Sequence, residues 1–111
     1  MFGAGGRRDK GKRLAMGQAA SRADRVLVTS DNCRDEDPQE ICQALLEGLV
    51  GHAQASIELD RERAIRDAIA GAGPKDVILI AGRGPERELD LGSRRIPLVD
   101  AEVAEAALSQ R

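Results

Sequence analysis

Apolar and polar residues follow each other along this chain in a pattern that predicts four helices separated by short strands. The helical stretches repeat apolar residues every three or four positions, whereas the strand-like stretches hold several in a row. The predicted helices run from 10 to about 22, from 38 to before Gly51, from 61 to before Gly71, and onward from Asp100. The predicted strands are 1–4, 25–29, 55–59 and 76–81, followed by 88–91 and 94–98 as a hairpin. Strands alternating with helices of about a dozen residues indicate an α/β fold with a mostly parallel sheet.

Individual residues mark where the helices begin and which faces are buried. Asp37, Asp60 and Asp100 each precede a helical stretch and are predicted to be N-caps. The predicted inward faces carry Leu14, Ala15 and Ala19 in the first helix, Ile41, Leu45, Leu46 and Leu49 in the second, Ala64, Ile65, Ala68 and Ile69 in the third, and Val103, Ala107 and Leu108 in the fourth. We expect these faces to form the core.

The segment 76–81 is the strongest predicted strand. Its consecutive apolar residues need cover on both faces, as do those of 25–29. We therefore expect these two segments to be neighbouring or near-neighbouring parallel strands at the centre of the sheet. An antiparallel arrangement of these two segments, or solvent on one face of 77–80, would overturn the α/β assignment.

Length and composition restrict the class of protein. With 111 residues and a net charge of −2, the chain is expected to form one domain that binds neither nucleic acid nor a membrane. No apolar run approaches the about 20 residues of a membrane helix, and the start lacks the apolar region of a secretion signal, so we expect a cytoplasmic protein. Phe2 is the only aromatic residue, which argues against stacking on single-stranded nucleic acid. Cys33, Cys42 and His52 lack zinc-site spacing, so two reduced thiols and no metal are expected.

Three loops follow predicted strands and should meet at the C-terminal edge of the sheet, where α/β proteins bind ligands. They span 3–8, 30–35 and 82–86. The first approaches two phosphate-binding motifs, but Arg8 replaces the third glycine of G-x-G-x-x-G and Arg13 replaces the Ser/Thr of the Walker A motif. Basic residues outnumber acidic ones in 1–25. This excess favours either a weaker anion site at the glycine amides and the helix start or simply a solvated basic helix face.

The other two loops carry chemically distinct side chains. Arg34 offers a planar fork suited to a carboxylate, and Asn32 both donates and accepts hydrogen bonds. The third loop combines flexible glycines with the carboxylate of Glu86. Taken singly, these loops are better explained as a turn held by Asp and Asn side chains and as a solvated approach to the hairpin.

Taken together, the three loops resemble a known family. The segments GAGGRRDKGKR at 3–13, TSDNCR at 29–34 and AGRGPE at 81–86 resemble the C-terminal domain of a Mur ligase. They are most similar to the branch that adds meso-diaminopimelate to UDP-MurNAc-L-Ala-D-Glu in peptidoglycan synthesis. For 1–111 the resemblance implies a Rossmann-like three-layer sandwich with a C-terminal hairpin. It also implies a role in delivering the amino acid to an acyl phosphate made from ATP.

The resemblance also assigns site residues. It implies that meso-diaminopimelate is bound by Arg8, Asn32, Arg34, Gly82 and Glu86. The guanidinium and amide groups would hold the distal carboxylate and Glu86 the distal ammonium group. We therefore expect Arg8, Arg34 and Glu86 to point into one shallow cleft. Residues near the nucleotide are implied to be Gly5, Gly6, Asp9 and Lys12.

Some features of the family are missing from this sequence. Departures from the family pattern are Arg7 for Asp, Cys33 for Pro, Arg83 for Lys and Pro85 for His. The UDP-binding and central ATPase domains, which use ATP and Mg²⁺ in the family, have no counterpart here. The resemblance therefore implies a chain that has no catalytic residue, is inactive alone and depends on those domains. Two alternatives remain, a non-catalytic Rossmann-like anion-binding module and a truncated relic of such a ligase. A lysine-adding relative is disfavoured because Asn32 and Arg34 are both present.

Overall fold

Four helices and four short strands alternate along the described part of the chain. The computed structural model describes residues 1–7 and 10–111. The helices are α1 (Lys12–Ala20), α2 (Pro38–Glu47), α3 (Arg61–Ala70) and α4 (Asp100–Ser109). The strands are β1 (Val26–Thr29), β2 (Ala55–Glu58), β3 (Glu88–Asp90) and β4 (Arg95–Pro97). The predicted α/β fold class is therefore confirmed. Among the described residues, no helix has the length and apolar character needed to cross a membrane.

The strands form a short parallel sheet and a separate antiparallel hairpin. β1 and β2 run parallel and are connected through α2, so they constitute the predicted βαβ unit. The N-terminal segment extends this sheet, because Phe2 forms a parallel bridge with Val28. β3 and β4 pair antiparallel as the predicted C-terminal hairpin.

The N-terminal segment also contacts the extended segment 76–81. The Met1 ammonium group donates to the Leu79 carbonyl at 2.7 Å, and the Ala81 amide donates to the Met1 carbonyl at 3.0 Å. The order across the sheet is thus 76–81, the N-terminal segment, β1 and β2. As predicted, 25–29 and 76–81 are near neighbours and run parallel. The prediction of a central strand at 76–81 is wrong, because the segment is extended but forms no strand and lies at the edge of this order.

The prediction that 76–81 is covered on both faces is wrong. Val77 is 94% exposed and Leu79 is 73% exposed, whereas Ile78 and Ile80 are half-buried against the second core. Because successive side chains of an extended segment point to opposite faces, one face packs inward and the other meets solvent. This exposure meets the criterion stated for overturning the α/β assignment. The criterion was wrong, because the parallel βαβ unit of β1, α2 and β2 forms without cover on both faces of 76–81.

The two helix pairs build two separate hydrophobic cores. α1 and α2 pack on each other, and α2 covers the side of β1 that carries Val26 and Val28. α3 and α4 pack on each other and enclose the second core with Ile78, Ile80 and the hairpin. Two helix pairs around the extended segments give the predicted three-layer arrangement.

Glycines set the distance between α1 and α2. A Cβ at Gly17 would run into the carbonyl oxygen of Leu45, and a Cβ at Gly48 would run into that of Leu14. The two helix backbones therefore touch directly, and any larger residue at either position would force them apart.

The predicted inward faces are right for α2 and α3 but wrong for α1. The predicted residues of α1, namely Leu14, Ala15 and Ala19, are all exposed. The residues that pack are instead Arg13, Met16, Gly17 and Ala20. They share one helix face at positions i, i+3, i+4 and i+7, but the face holds a charged residue and a glycine, so an apolar pattern misses it. In α4, Val103 and Ala107 are buried as predicted and Leu108 is 56% exposed.

Two of the three predicted helix caps are confirmed. The Asp37 side chain accepts from the Gln39 amide, and the Asp60 side chain accepts from the Arg63 amide. The prediction for Asp100 is wrong, because α4 starts at this residue and its N-cap is Val99. The carboxylate of Asp100 binds two arginines instead.

The two cysteines form no disulfide bond with each other. Cys33 and Cys42 are both free and buried. Burial raises the pKa of the Cys42 thiol to about 11. Burial likewise raises the pKa of the Cys33 thiol above its ordinary value. Both residues serve the first core, which they join by packing against its aliphatic side chains.

Candidate functional site

The second loop, the third loop and the hairpin enclose one shallow cavity of about 350 Å³. Its lining residues are Asn32, Arg34, Glu86, Arg87, Glu88, Asp90 and Arg95. The predicted convergence of Arg34 and Glu86 in one cleft is therefore confirmed. Arg8 and Asp9 lie outside the described residues. Gly82 does not line the cavity but adjoins the second loop, since a Cβ there would lie 3.1 Å from Asp31 Oδ2.

Asn32 ties the third loop and the hairpin together. Its Nδ2 donates to Glu86 Oε1 at 3.0 Å, and its Oδ1 accepts from the Asp90 amide at 2.9 Å. Because each end of the carboxamide has a partner, these bonds fix its orientation. Glu86 is held at the cavity by a neutral donor, and its second oxygen has no partner among the described residues.

Arg34 is one of three arginines that line the cavity. Its φ of 54° lies in the left-handed region, which costs a non-glycine residue about 1–3 kcal/mol. Its amide donates to the Asp90 carbonyl at 3.1 Å, and Nη1 donates to the carbonyls of Gly6 and Asn32 at 2.7 and 3.2 Å. These bonds hold the unusual backbone. Nε and Nη2 have no partner within the described residues, so they are left for an anionic group.

The first loop uses its amides within the protein. The Gly6 amide donates to the Asn32 carbonyl at 2.8 Å, and the Arg7 amide donates to Glu36 Oε1 at 3.0 Å. The Arg7 guanidinium also pairs with Asp35 at 2.7 Å, and its hydrogen bond holds the pKa of that carboxyl below the ordinary value. The Gly6 amide is therefore not free for the anion site predicted at the glycine amides. Asp35 and Glu36 neutralise part of the basic excess.

Arg13 braces the first loop from inside. Its Nη1 donates to Glu36 Oε2 at 2.7 Å, and its Nη2 donates to Glu36 Oε1 and the Gly5 carbonyl, both at 3.1 Å. The two side chains are only 7% and 8% exposed. The Arg13 hydrogen bonds, followed by that of the Arg7 amide, lower the pKa of Glu36 to about 2. Arg13 thus fills the Ser/Thr position of the Walker-like segment with a structural ion pair, while Lys12 is exposed.

A second internal ion cluster was not predicted from the sequence. Asp100 accepts from Arg61 Nε and Nη2 at 3.0 and 2.8 Å and from Arg83 Nη1 at 2.7 Å. Both arginine side chains are 0% exposed. The sequence contained one indication of this cluster. An arginine at the first position of a helix opposes the helix dipole, so its presence there indicates a compensating acidic partner. Arg61 occupies that position in α3.

The described residues contain no cluster of three or more His, Cys, Asp or Glu side chains arranged to hold a metal ion. Glu88 and Asp90 line the cavity together with arginines, and Arg95 Nη2 lies 3.9 Å from Asp90 Oδ2. The cavity therefore presents mixed charge, suited to a ligand that carries both signs.

Comparison with known proteins relates this arrangement to a family. The family model described as "Mur ligase, glutamate ligase domain" matches residues 1–84. The UDP-N-acetylmuramoyl-L-alanyl-D-glutamate--2,6-diaminopimelate ligase of Acidovorax sp. (strain JS42) is 47% identical over 112 residues, covering 100% of this chain. The ligase of the same name from Prochlorococcus marinus (strain MIT 9313) is 49% identical over 112 residues, with the same coverage. The chain spans 22% of the length of each of these relatives.

A solved structure shares the fold. It is described as the structure of a UDP-N-acetylmuramoyl-L-alanyl-D-glutamate--2,6-diaminopimelate ligase, and it matches with a TM-score of 0.89 at 37% sequence identity. The match covers 98% of this chain and 23% of the solved chain. The similarity therefore extends over the cavity, the two cores and the hairpin.

Proposed function

The chain belongs to the Mur ligase family, and we propose that it is the amino-acid-binding part of a ligase that adds meso-diaminopimelate to UDP-MurNAc-L-Ala-D-Glu. The observation that carries this proposal is the convergence of Arg34, Asn32 and Glu86 at one cavity. The relatives that the chain matches are 2,6-diaminopimelate ligases, of whose length it spans 22%. The reaction itself is accordingly a property of the whole ligase, in which this chain would act in the cytoplasm.

The unpartnered groups at the cavity complement the distal end of meso-diaminopimelate. That end carries a carboxylate and an ammonium group on one carbon atom. In this proposal Nε and Nη2 of Arg34 bind the carboxylate, and the second oxygen of Glu86 binds the ammonium group. Asn32 orients Glu86 through the 3.0 Å hydrogen bond. Arg8 and Gly82 complete the proposed substrate-binding set.

ATP and Mg²⁺ drive amide-bond formation in this family, but the residues of this chain do not fit a complete site for them. The position of the magnesium-binding hydroxyl is filled by Arg13, whose guanidinium is engaged by Glu36. No catalytic step is therefore assigned to these residues. We propose that Gly5, Gly6, Asp9 and Lys12 face a nucleotide held by other domains of the ligase, and that the chain alone is inactive.

Calorimetry with the 111-residue chain tests the substrate assignment. Meso-diaminopimelate should bind more tightly than lysine, which lacks the distal carboxylate. Arg34→Ala should lower the affinity for meso-diaminopimelate by about 10- to 100-fold, because a hydrogen bond to a charged group contributes about 1.5–3 kcal/mol. The affinity for lysine should change little.

Arg22→Ala is the matched control, since Arg22 is an exposed arginine just beyond α1. It should leave both affinities unchanged. Equal affinity of the wild-type chain for the two amino acids would contradict the assignment and favour a non-catalytic module or relic. Turnover of ATP by the purified chain would contradict the proposed inactivity.

A further inference from the structure

We propose that Arg61, Asp100 and Arg83 form a positioning triad that sets the placement of Asn32 and Glu86 and, through them, the preference for a ligand with a distal ammonium group. The ligand preference rests on the function proposed above. The placement of the two side chains follows from the contacts of the triad alone.

Arg61 joins the starts of both substrate loops. Its Nη1 donates to the Ser30 carbonyl at 2.9 Å, and its Nη2 donates to the Ala81 carbonyl at 3.2 Å. These carbonyls lie two residues before Asn32 and one residue before Gly82. One side chain therefore fixes the spacing between the second and third loops where each leaves the sheet.

Arg83 extends the triad into the third loop and the hairpin. Its Nη2 donates to the Leu98 carbonyl at 2.6 Å and to the Glu88 carbonyl at 3.1 Å, with the Glu86 carbonyl at 3.5 Å. The Glu86 amide in turn donates to the Arg83 carbonyl at 3.1 Å. The backbone on both sides of the Glu86 side chain is thus tied to one buried guanidinium.

Asp100 connects the two arginines in the interior. Burial raises the pKa of Asp100, but the hydrogen bonds and charge of Arg61 and Arg83 outweigh it, so the pKa lies below the ordinary value. Two guanidinium groups share this one carboxylate, and Arg83 Nε is buried with no partner among the described residues. Removing such charged groups from water costs free energy that their mutual attraction often does not recover. The cluster is therefore better explained by a role in positioning the loops than by a role in stabilising the fold.

The test uses the full chain with Arg83→Met, which leaves the Arg61–Asp100 pair intact. A stability control is Leu45→Ala, because Leu45 is fully buried in the first core. The first measurement is hydrogen exchange at the Asp90 amide, which reports the bond to Asn32 Oδ1. After correction for the change in global stability, this amide should exchange at least about tenfold faster in Arg83→Met than in the wild type. In Leu45→Ala the corrected exchange rate should not change. Equal local exchange in both variants would overturn the triad.

The second measurement is the ratio of affinities for meso-diaminopimelate and 2-aminopimelate, which lacks one ammonium group. The ratio should fall at least about threefold in Arg83→Met, recover in Arg83→Lys and stay unchanged in Leu45→Ala. Glu86→Gln should lower it as well, and adding Arg83→Met to Glu86→Gln should change it no further. Additive effects would overturn a role through Glu86. If the wild-type chain binds neither compound, the proposed function fails and the exchange measurement still decides the triad.

Discussion

The Arg13–Glu36 pair gives a prediction whose size and pH dependence both follow from the structure. Exposed ion pairs contribute about 0.2–1 kcal/mol, whereas removing one partner of a buried pair costs about 3–5 kcal/mol. Here both side chains are less than a tenth exposed, at 7% and 8%, and glutamine at position 36 can still accept from Arg13. We therefore expect Glu36→Gln to lower the free energy of unfolding by about 2–3 kcal/mol at neutral pH, between those two limits.

The pH dependence follows from the lowered pKa of Glu36. Hydrogen bonds from Arg13 and the Arg7 amide lower this pKa from 4.5 to about 2. A carboxyl with a depressed pKa in the folded state stabilises the protein above its unfolded pKa, and this contribution is lost as the pH falls through the folded value. The difference between wild type and Glu36→Gln should therefore be constant above about pH 5 and shrink between about pH 4.5 and 2.

Urea denaturation across this pH range measures both effects. At neutral pH the midpoint should fall by about 1–2 M. Glu105→Gln, a change of the same chemistry on the exposed face of α4, should leave the midpoint nearly unchanged. The reasoning would be refuted by a neutral-pH difference below about 0.5 kcal/mol, or by a difference that persists undiminished to about pH 2.5.

Two further predictions concern packing and thiol chemistry. Gly48→Ala should destabilise the chain by about 1–3 kcal/mol, since its Cβ would press on the Leu14 carbonyl. Gly73→Ala, whose Cβ would lie 3.6 Å from Asp76 Oδ2, should be neutral or slightly stabilising. Equal urea midpoints for these two variants would contradict the close helix contact. Because burial raises the pKa of Cys42 to about 11, a thiol reagent at mildly alkaline pH should label this residue only after unfolding, and rapid labelling of the native chain would show that Cys42 is accessible.

Features encoded locally were predictable from the sequence. Asp37 and Asp60 cap their helices because an acidic side chain can bind amides two or three residues ahead, whatever the rest of the fold does. The stripe on α2 and the apolar run of β1 likewise identify buried faces, since Ile41, Leu45 and Val28 are all fully or almost fully buried. The meeting of Arg34 and Glu86 at one cavity followed from the family resemblance and the common edge of a parallel sheet.

Features that depend on distant partners were not predictable in this way. Asp100 has the residue type and position of an N-cap, but its carboxylate is taken by Arg61 and Arg83, which lie 39 and 17 residues away in sequence. The apolar residues of 76–81 have the composition of a central strand. No hydropathy pattern, however, states whether a helix lies over Val77. Such outcomes are decided by tertiary packing, about which the composition of a segment carries little information.

The starts of α3 and α4 carry residues of the triad, whereas the loops above them line the cavity. Asp100 at the first position of α4 is favoured by the helix dipole, whereas Arg61 at the first position of α3 is disfavoured by it. The bidentate bond to Asp100, at 2.8 and 3.0 Å, offsets that cost and draws the two helix starts together beneath the loops. Arg61 also binds the carbonyls of Ser30 and Ala81, at the starts of the second and third loops. A substitution in the packing of α3 on α4 is therefore expected to disturb ligand preference before it unfolds the chain.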